Sequence, residues 1–151
     1  MATDMVNFRE FADNFELSIL LTDSCIDLPG PKIIYANFNC LKMTGYSLEE
    51  LTGKTPRIFQ GEKTDRSVLS KIRQCLIDGT VFIGATVNYR KDGSEYLMNW
   101  IIKPIFLDGH KYFYAIQDDM TNGLLRSLAE VKFLQLNLLS KLPEKSNVPN
   151  S

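Results

Sequence analysis

The chain has 151 residues, 44% of them hydrophobic and 11% aromatic, with 17 basic against 18 acidic side chains and a formal net charge of −1. That composition is globular rather than disordered, and the length is that of one domain with short extensions, enough to bury a core. So balanced a charge gives no broad electrostatic grip on nucleic acid or an anionic membrane, and no apolar run approaches the length of a membrane span.

Along the chain, "NFREFADNF" sets Phe8, Phe11 and Phe15 at the spacing of one helix face, which predicts a short amphipathic helix in an extension over 1–15. "ELSILLTDS" reads as a strand over 16–23, Pro29, Gly30 and Pro31 mark a turn, and "KIIYAN" is a second strand over 32–37. "FNCLKMTGY" is a short helix stopped by Gly45, and "SLEEL" opens with the Ser47/Glu50 capping-box pattern. "GKTPRIF" is another turn-helix piece. "TDRSVLSKIRQCLIDGT" is a full helix, capped by Thr64 or Asp65, with Val68, Leu69, Ile72 and Leu76 on its apolar face and Gly79 at its end.

Three strands follow, "VFIGATVNYRKDG", "SEYLMNWIIKPI" and "KYFYAIQDDMT", joined at the Asp92-Gly93 hairpin signal and at "LDGH". Two strands, several short helices and a three-stranded meander make an α+β domain over 16–121, one five-stranded antiparallel sheet with short helices over one face. "NGLLRSLAEVKFLQLNLLSKL" predicts a C-terminal helix over 122–142, with Leu124, Leu128, Val131 and Leu138 along one stripe, and 143–151 is a polar tail. A helix with such a stripe suits homodimerisation or contact with a downstream signalling protein.

Taken together and in order, "IIYANFNCLKMTGYSLEELTGKTPRIFQGEKTD", "IR", "NYRKDG" and "YFYAIQDDMT" resemble a PAS domain of the LOV (light-oxygen-voltage) type. The resemblance implies a PAS fold, a signalling rather than catalytic role, and a bound flavin, FMN with FAD as the alternative. It places Arg57 and Arg73 near a flavin phosphate, Gln60 near the ribityl chain, Asn88 on the polar edge of the ring and Gln117 near N5. Thr22 falls on a pocket-facing strand position, and Asn37 and Thr55 are counted with the pocket on the same grounds.

The sequence departs from the family at three places. Pro56 stands where the adduct-forming cysteine is expected, Thr55 replaces the asparagine before it, and Met98 replaces a second ring-binding asparagine. Strand alternation puts Trp100 on the same face as Met98 and turns Asn99 away. On this reading the domain is cysteine-less and responds to blue light or redox state by non-covalent flavin photoreduction, relayed through Gln117 to the C-terminal helix.

The residues support a flavin on their own terms. Arg57 and Arg73 offer charge, and Asn88 and Gln117 each carry a donor and an acceptor. Met98, Trp100, Phe113, Ile58 and Leu20 offer apolar walls. The bland reading stands beside this one: Met98 and Trp100 are plain core, they fill the cavity, and the domain is a chromophore-free interaction module.

The three cysteines, Cys25, Cys40 and Cys75, are odd in number and far apart, and the only histidine is His110. Neither a disulfide framework nor a zinc site has the right spacing. Cys40 reads as a small core residue. Free thiols, together with a start "MATDMVNFRE" that lacks a leader pattern, make a cytoplasmic location the expectation. No nucleophile–base pairing or phosphate loop marks an enzyme.

Overall fold

The structure, a computed structural model, describes residues 3–120. The expected helix over 122–142 and tail over 143–151 lie outside them. The elements run in the expected order: α1 (Thr3–Asp13), β1 (Ser18–Asp23), β2 (Ile33–Ala36), α2 (Phe38–Thr44), α3 (Leu48–Leu51), a 3₁₀ turn (Pro56–Phe59), α4 (Arg66–Asp78), β3 (Phe82–Tyr89), β4 (Glu95–Leu107) and β5 (His110–Asp119). The strands form one antiparallel sheet in the order β2-β1-β5-β4-β3.

Local chemistry explains the boundaries. Asn37 and Asp65 accept backbone N–H groups at the starts of α2 and α4, and Gly45 and Gly79 end those helices in the left-handed conformation that glycine adopts without strain. The Ser47/Glu50 capping box is made in both directions. The β4–β5 hairpin turns on Asp108 and Gly109, both at positive φ, as a tight two-residue turn requires.

Strand alternation then sorts the core into two layers. On one face, Ile19, Leu21, Ile101, Ile105, Tyr114 and Ile116 pack under Phe8 and Ala12 of α1. On the other, Leu20, Met98, Trp100 and Ala115 meet Cys40, Leu51 and Phe59 from the short helices. The amphipathic pattern of α1 says that it packs on something; the structure adds that it covers the sheet face away from the other helices. On the second face α4 stays half-buried and buries no residue completely. It stands off the sheet and leaves a cavity beneath. Among the described residues, no helix is long and apolar enough to cross a membrane.

Candidate functional site

The cavity holds about 460 Å³, within the range of ligand pockets. The sheet lines it with Leu20, Trp100, Phe113 and Ala115, and α4 with Leu69, Ile72 and Leu76. Gly84 lies directly across from Trp100 in the β3–β4 register. A Cβ there would stand 2.6 Å from the Phe82 ring, which leans on Trp100 at 5.7 Å between centroids. The missing side chain therefore lets Phe82 lean on Trp100 from behind, and Trp100 lines the cavity without filling it.

Of the residues expected at a pocket, Thr22, Thr55, Pro56, Arg57, Gln60, Arg73, Asn88, Trp100, Phe113 and Gln117 all border the cavity. Met98 is buried in the core beside it and is not part of the lining. Asn37 is not part of it either. Its Oδ1 accepts from Ile19 N (2.9 Å) and Cys40 N (3.0 Å), and its Nδ2 donates to Ala12 O (2.8 Å) and Leu17 O (2.9 Å). All its hydrogen bonds go to backbone, pinning α2 to β1 and to the end of α1.

The mouth is basic. The guanidinium groups of Arg57 and Arg66 have no hydrogen-bond or ion-pair partner among the described residues, and that of Arg73 donates to Ile26 O at 2.9 Å, tying α4 to the β1–β2 loop. Arg66 was missed in the sequence. Its signal is the seven-residue step to Arg73, which brings both guanidinium groups to one face of α4.

The inner end is polar and centres on Gln117, which is 5% exposed. Its Oε1 accepts from Ser18 Oγ at 3.0 Å and from the Cys40 thiol at 3.9 Å. With the oxygen engaged on that side, the Nε2 donors are left for the cavity that Gln117 borders. Gln117 also borders a second recess of about 360 Å³ on its far side, with Ser18, Met43, Arg90 and Asp119. Cys40 is fully buried, and burial pushes its thiol up to about 11, with the Ser18 hydrogen bond acting the other way. The thiol is therefore a neutral S–H at neutral pH.

This arrangement fits a flavin. The half-open slot has apolar walls for a planar ring, amides on its lining for the polar edge, and two partnerless guanidinium groups where a phosphate would lie.

Residues 18–122 match the family model of the PAS domain, and the chain belongs to the PAS domain family. Within that family its fold is of the LOV type. The chain is 33% identical over 123 residues to a blue-light photoreceptor of Listeria monocytogenes, covering 77% of this chain and 47% of that protein. It is 35% identical over 98 residues to Protein TWIN LOV 1 of Arabidopsis thaliana, covering 65% of this chain and 24% of that one. Among solved structures, the LOV domain of an Erythrobacter litoralis blue-light activated histidine kinase matches with a TM-score of 0.65 at 28% identity, over 72% of this chain and 99% of that one. A Rhodobacter sphaeroides LOV protein matches with a TM-score of 0.83 over 99% of this chain and 87% of that one; at 20% identity that likeness speaks to the fold alone. The chain spans about half the length of the Listeria photoreceptor. The fold is that of sensory LOV domains, which goes with signalling rather than catalysis.

One expectation is corrected. The domain is not cysteine-less, and non-covalent photoreduction does not follow from Pro56. Pro56 begins the 3₁₀ turn and carries no thiol, but α2 delivers the buried Cys40 to the glutamine from another direction, in a fold shared with blue-light photoreceptors. Cys40 is the buried core residue the sequence suggested, and it also contacts Gln117, which the sequence did not suggest. Asn37 caps α2 and turns residue 40 inward, while Gln117 lies 77 residues away in sequence, so no local pattern joins the two.

Proposed function

We propose that the chain is a flavin-binding, light-sensing module of the LOV type, with FMN as its ligand and Cys40 as the thiol of its light response. The observation that carries this is the buried Cys40 Sγ at 3.9 Å from Gln117 Oε1, one side chain back from the cavity. When bound, a flavin supplies blue-light absorption and an excited ring open to sulfur. Leu20, Trp100, Phe113 and Ile72 sandwich the ring, and Asn88 and Gln117 bond its edge. Arg57, Arg66 and Arg73 receive the phosphate. They support FMN, which ends there, over FAD, which has to continue past Pro29 and Pro31 at the rim.

Cys40 keeps its proton at neutral pH, so the group held in readiness is S–H, directed at Gln117 Oε1. The Gln117 side chain separates sulfur from cavity. Its rotation both opens the path and breaks the Ser18 hydrogen bond, so a change at the thiol becomes a change in the bonding of β5. Signalling through segments flanking the 16–121 core, homodimerisation through 122–142 and a downstream partner belong to the same proposal, supported by the apolar stripe in the sequence. A cytoplasmic location is supported by free thiols at Cys25, Cys40 and Cys75.

The test is the visible spectrum of the FMN-supplemented protein under blue light. We expect a flavin band that bleaches and recovers in the dark, unchanged in Cys25→Ala and Cys75→Ala and lost in Cys40→Ala. Full bleaching in Cys40→Ala removes the thiol from the account. No flavin band under FMN excess removes the flavin, and leaves the chromophore-free interaction module.

A further inference from the structure

Two amides face the cavity, and each is paired across the sheet with a hydroxyl. Gln117 is the register partner of Ser18, whose Oγ donates to it at 3.0 Å. Asn88 is the register partner of Tyr96. Directly opposed residues of an antiparallel pair share a face, with Cβ atoms about 4.5–5.5 Å apart. Tyr96 is 1% exposed, and its Oη is the one enclosed side-chain polar atom among the described residues without a hydrogen-bond partner. A buried hydroxyl left in that condition is costly, and native structures seldom tolerate one without a use.

The phenol is not free to leave. The Arg90 guanidinium stacks on its ring at 4.3 Å from the centroid, and is itself anchored to Met43 O (3.1 Å) and Asp119 (2.5 Å). That stacked cation also makes the ring a poor electron donor. Burial and the neighbouring Cys40 raise the phenol's pKa, while Arg90 and the Asn88 amide act the other way. The Asn88 side chain makes no other hydrogen bond within the described residues, so nothing else decides which end of its amide faces the cavity.

We propose that Tyr96 is a positioning residue for Asn88: a turn of the Asn88 amide lets its Nδ2 donate to the otherwise unpartnered Tyr96 Oη, and this bond holds Asn88 Oδ1 toward the cavity as an acceptor. Ser18 has the complementary effect on Gln117, whose engaged oxygen leaves its N–H groups inward. The polar end then offers an acceptor at Asn88 and a donor at Gln117, and selects a ligand edge carrying an N–H alongside an acceptor. This rests on the flavin reading, whose ring has such an edge.

Tyr96→Phe keeps the ring and its stack on Arg90, so the fold is retained; circular dichroism and the melting temperature check this. The decisive measurement is the Asn88 side-chain NH₂ resonance in the ¹⁵N-labelled, FMN-free full chain, assigned by its loss in Asn88→Ala. We expect Tyr96→Phe to move one of its two protons upfield and speed its exchange; an unmoved resonance overturns the proposal. In FMN titrations we expect roughly three- to tenfold weaker binding by Tyr96→Phe, the worth of one hydrogen bond. Equal affinity overturns the claim that the bond sets the cavity's polarity. If the parent chain takes no FMN, the flavin reading fails, and the resonance still decides whether the Asn88–Tyr96 bond exists.

Discussion

At the scale of single residues, this domain depends on a few buried polar groups. Asn37 is the clearest structural one, because both ends of its amide are spent on four backbone groups. Asn37→Ala should cost roughly 3–4 kcal/mol in urea unfolding. Asn37→Asp should cost at least as much despite its shape, because it turns a carboxylate oxygen toward the Ala12 and Leu17 carbonyls; near-parent stability of the aspartate variant would refute the bonding scheme. Cys40 makes a pH prediction. Its thiol is raised from the ordinary 9.0 to about 11, so between those values the unfolded chain releases a proton that the folded chain keeps. Stability from this group is full below pH 9 and falls as pH rises toward 11, by about 2–3 kcal/mol at most. Cys40→Ala should flatten that part of the pH dependence of the urea midpoint, and an unchanged slope would show that the folded state does not disfavour the thiolate. In the sequence, Asn37, Asn88 and Gln117 were all counted with the pocket. Sequence alone could not distinguish an amide spent on backbone from one that faces a cavity, since that depends on partners distant in the chain.

At the scale of elements, caps and periodicity were legible, while docking partners were not. Asp65, Gly45, Gly79 and the Ser47/Glu50 box mark helix ends in the sequence and in the structure alike. The docking of α1 is different. The carboxylate of Asp108, in the β4–β5 turn, accepts from Asp4 N (3.0 Å) and Met5 N (3.1 Å), while its own N–H donates to the Asp4 carboxylate at 2.8 Å. These are helix-start N–H groups with no partner inside the helix, met from 104 residues away. Asp108→Ala should cost about 1–2 kcal/mol, both through the lost cap and because alanine tolerates the φ of 51° less well than aspartate. Hydrogen exchange should quicken across α1 and leave β3 and β4 unaffected. Asp108→Asn, which keeps one acceptor and the backbone preference, should fall between. Uniform loss of protection over the whole domain would mean that the cap holds the fold rather than the helix.

At the scale of the whole molecule, the sheet and α4 make a slot between them, and the loops bring its chemistry to the two ends. The family resemblance named Arg57, Gln60, Arg73, Asn88 and Gln117, and strand alternation and apolar character named Trp100 and Phe113; all of them border the cavity. What the resemblance left out is the layer behind the wall: Ser18 and Cys40, which bond Gln117, and Tyr96, the register partner of Asn88. Reading the domain as cysteine-less followed from taking Cys40 for a small core residue; helix packing through α2 brings its sulfur to 3.9 Å from Gln117 Oε1, a contact that no local pattern announces. The central claim is therefore that Cys40 is the thiol of the light response, and its S–H bond can be watched directly. The measurement is the light-minus-dark infrared spectrum, in the S–H stretching region, of the FMN-loaded Cys25→Ser/Cys75→Ser protein, in which Cys40 is the only cysteine. The account predicts that the single S–H band disappears under blue light and returns in the dark with the kinetics of the visible band. A visible bleach with the S–H band intact would contradict it.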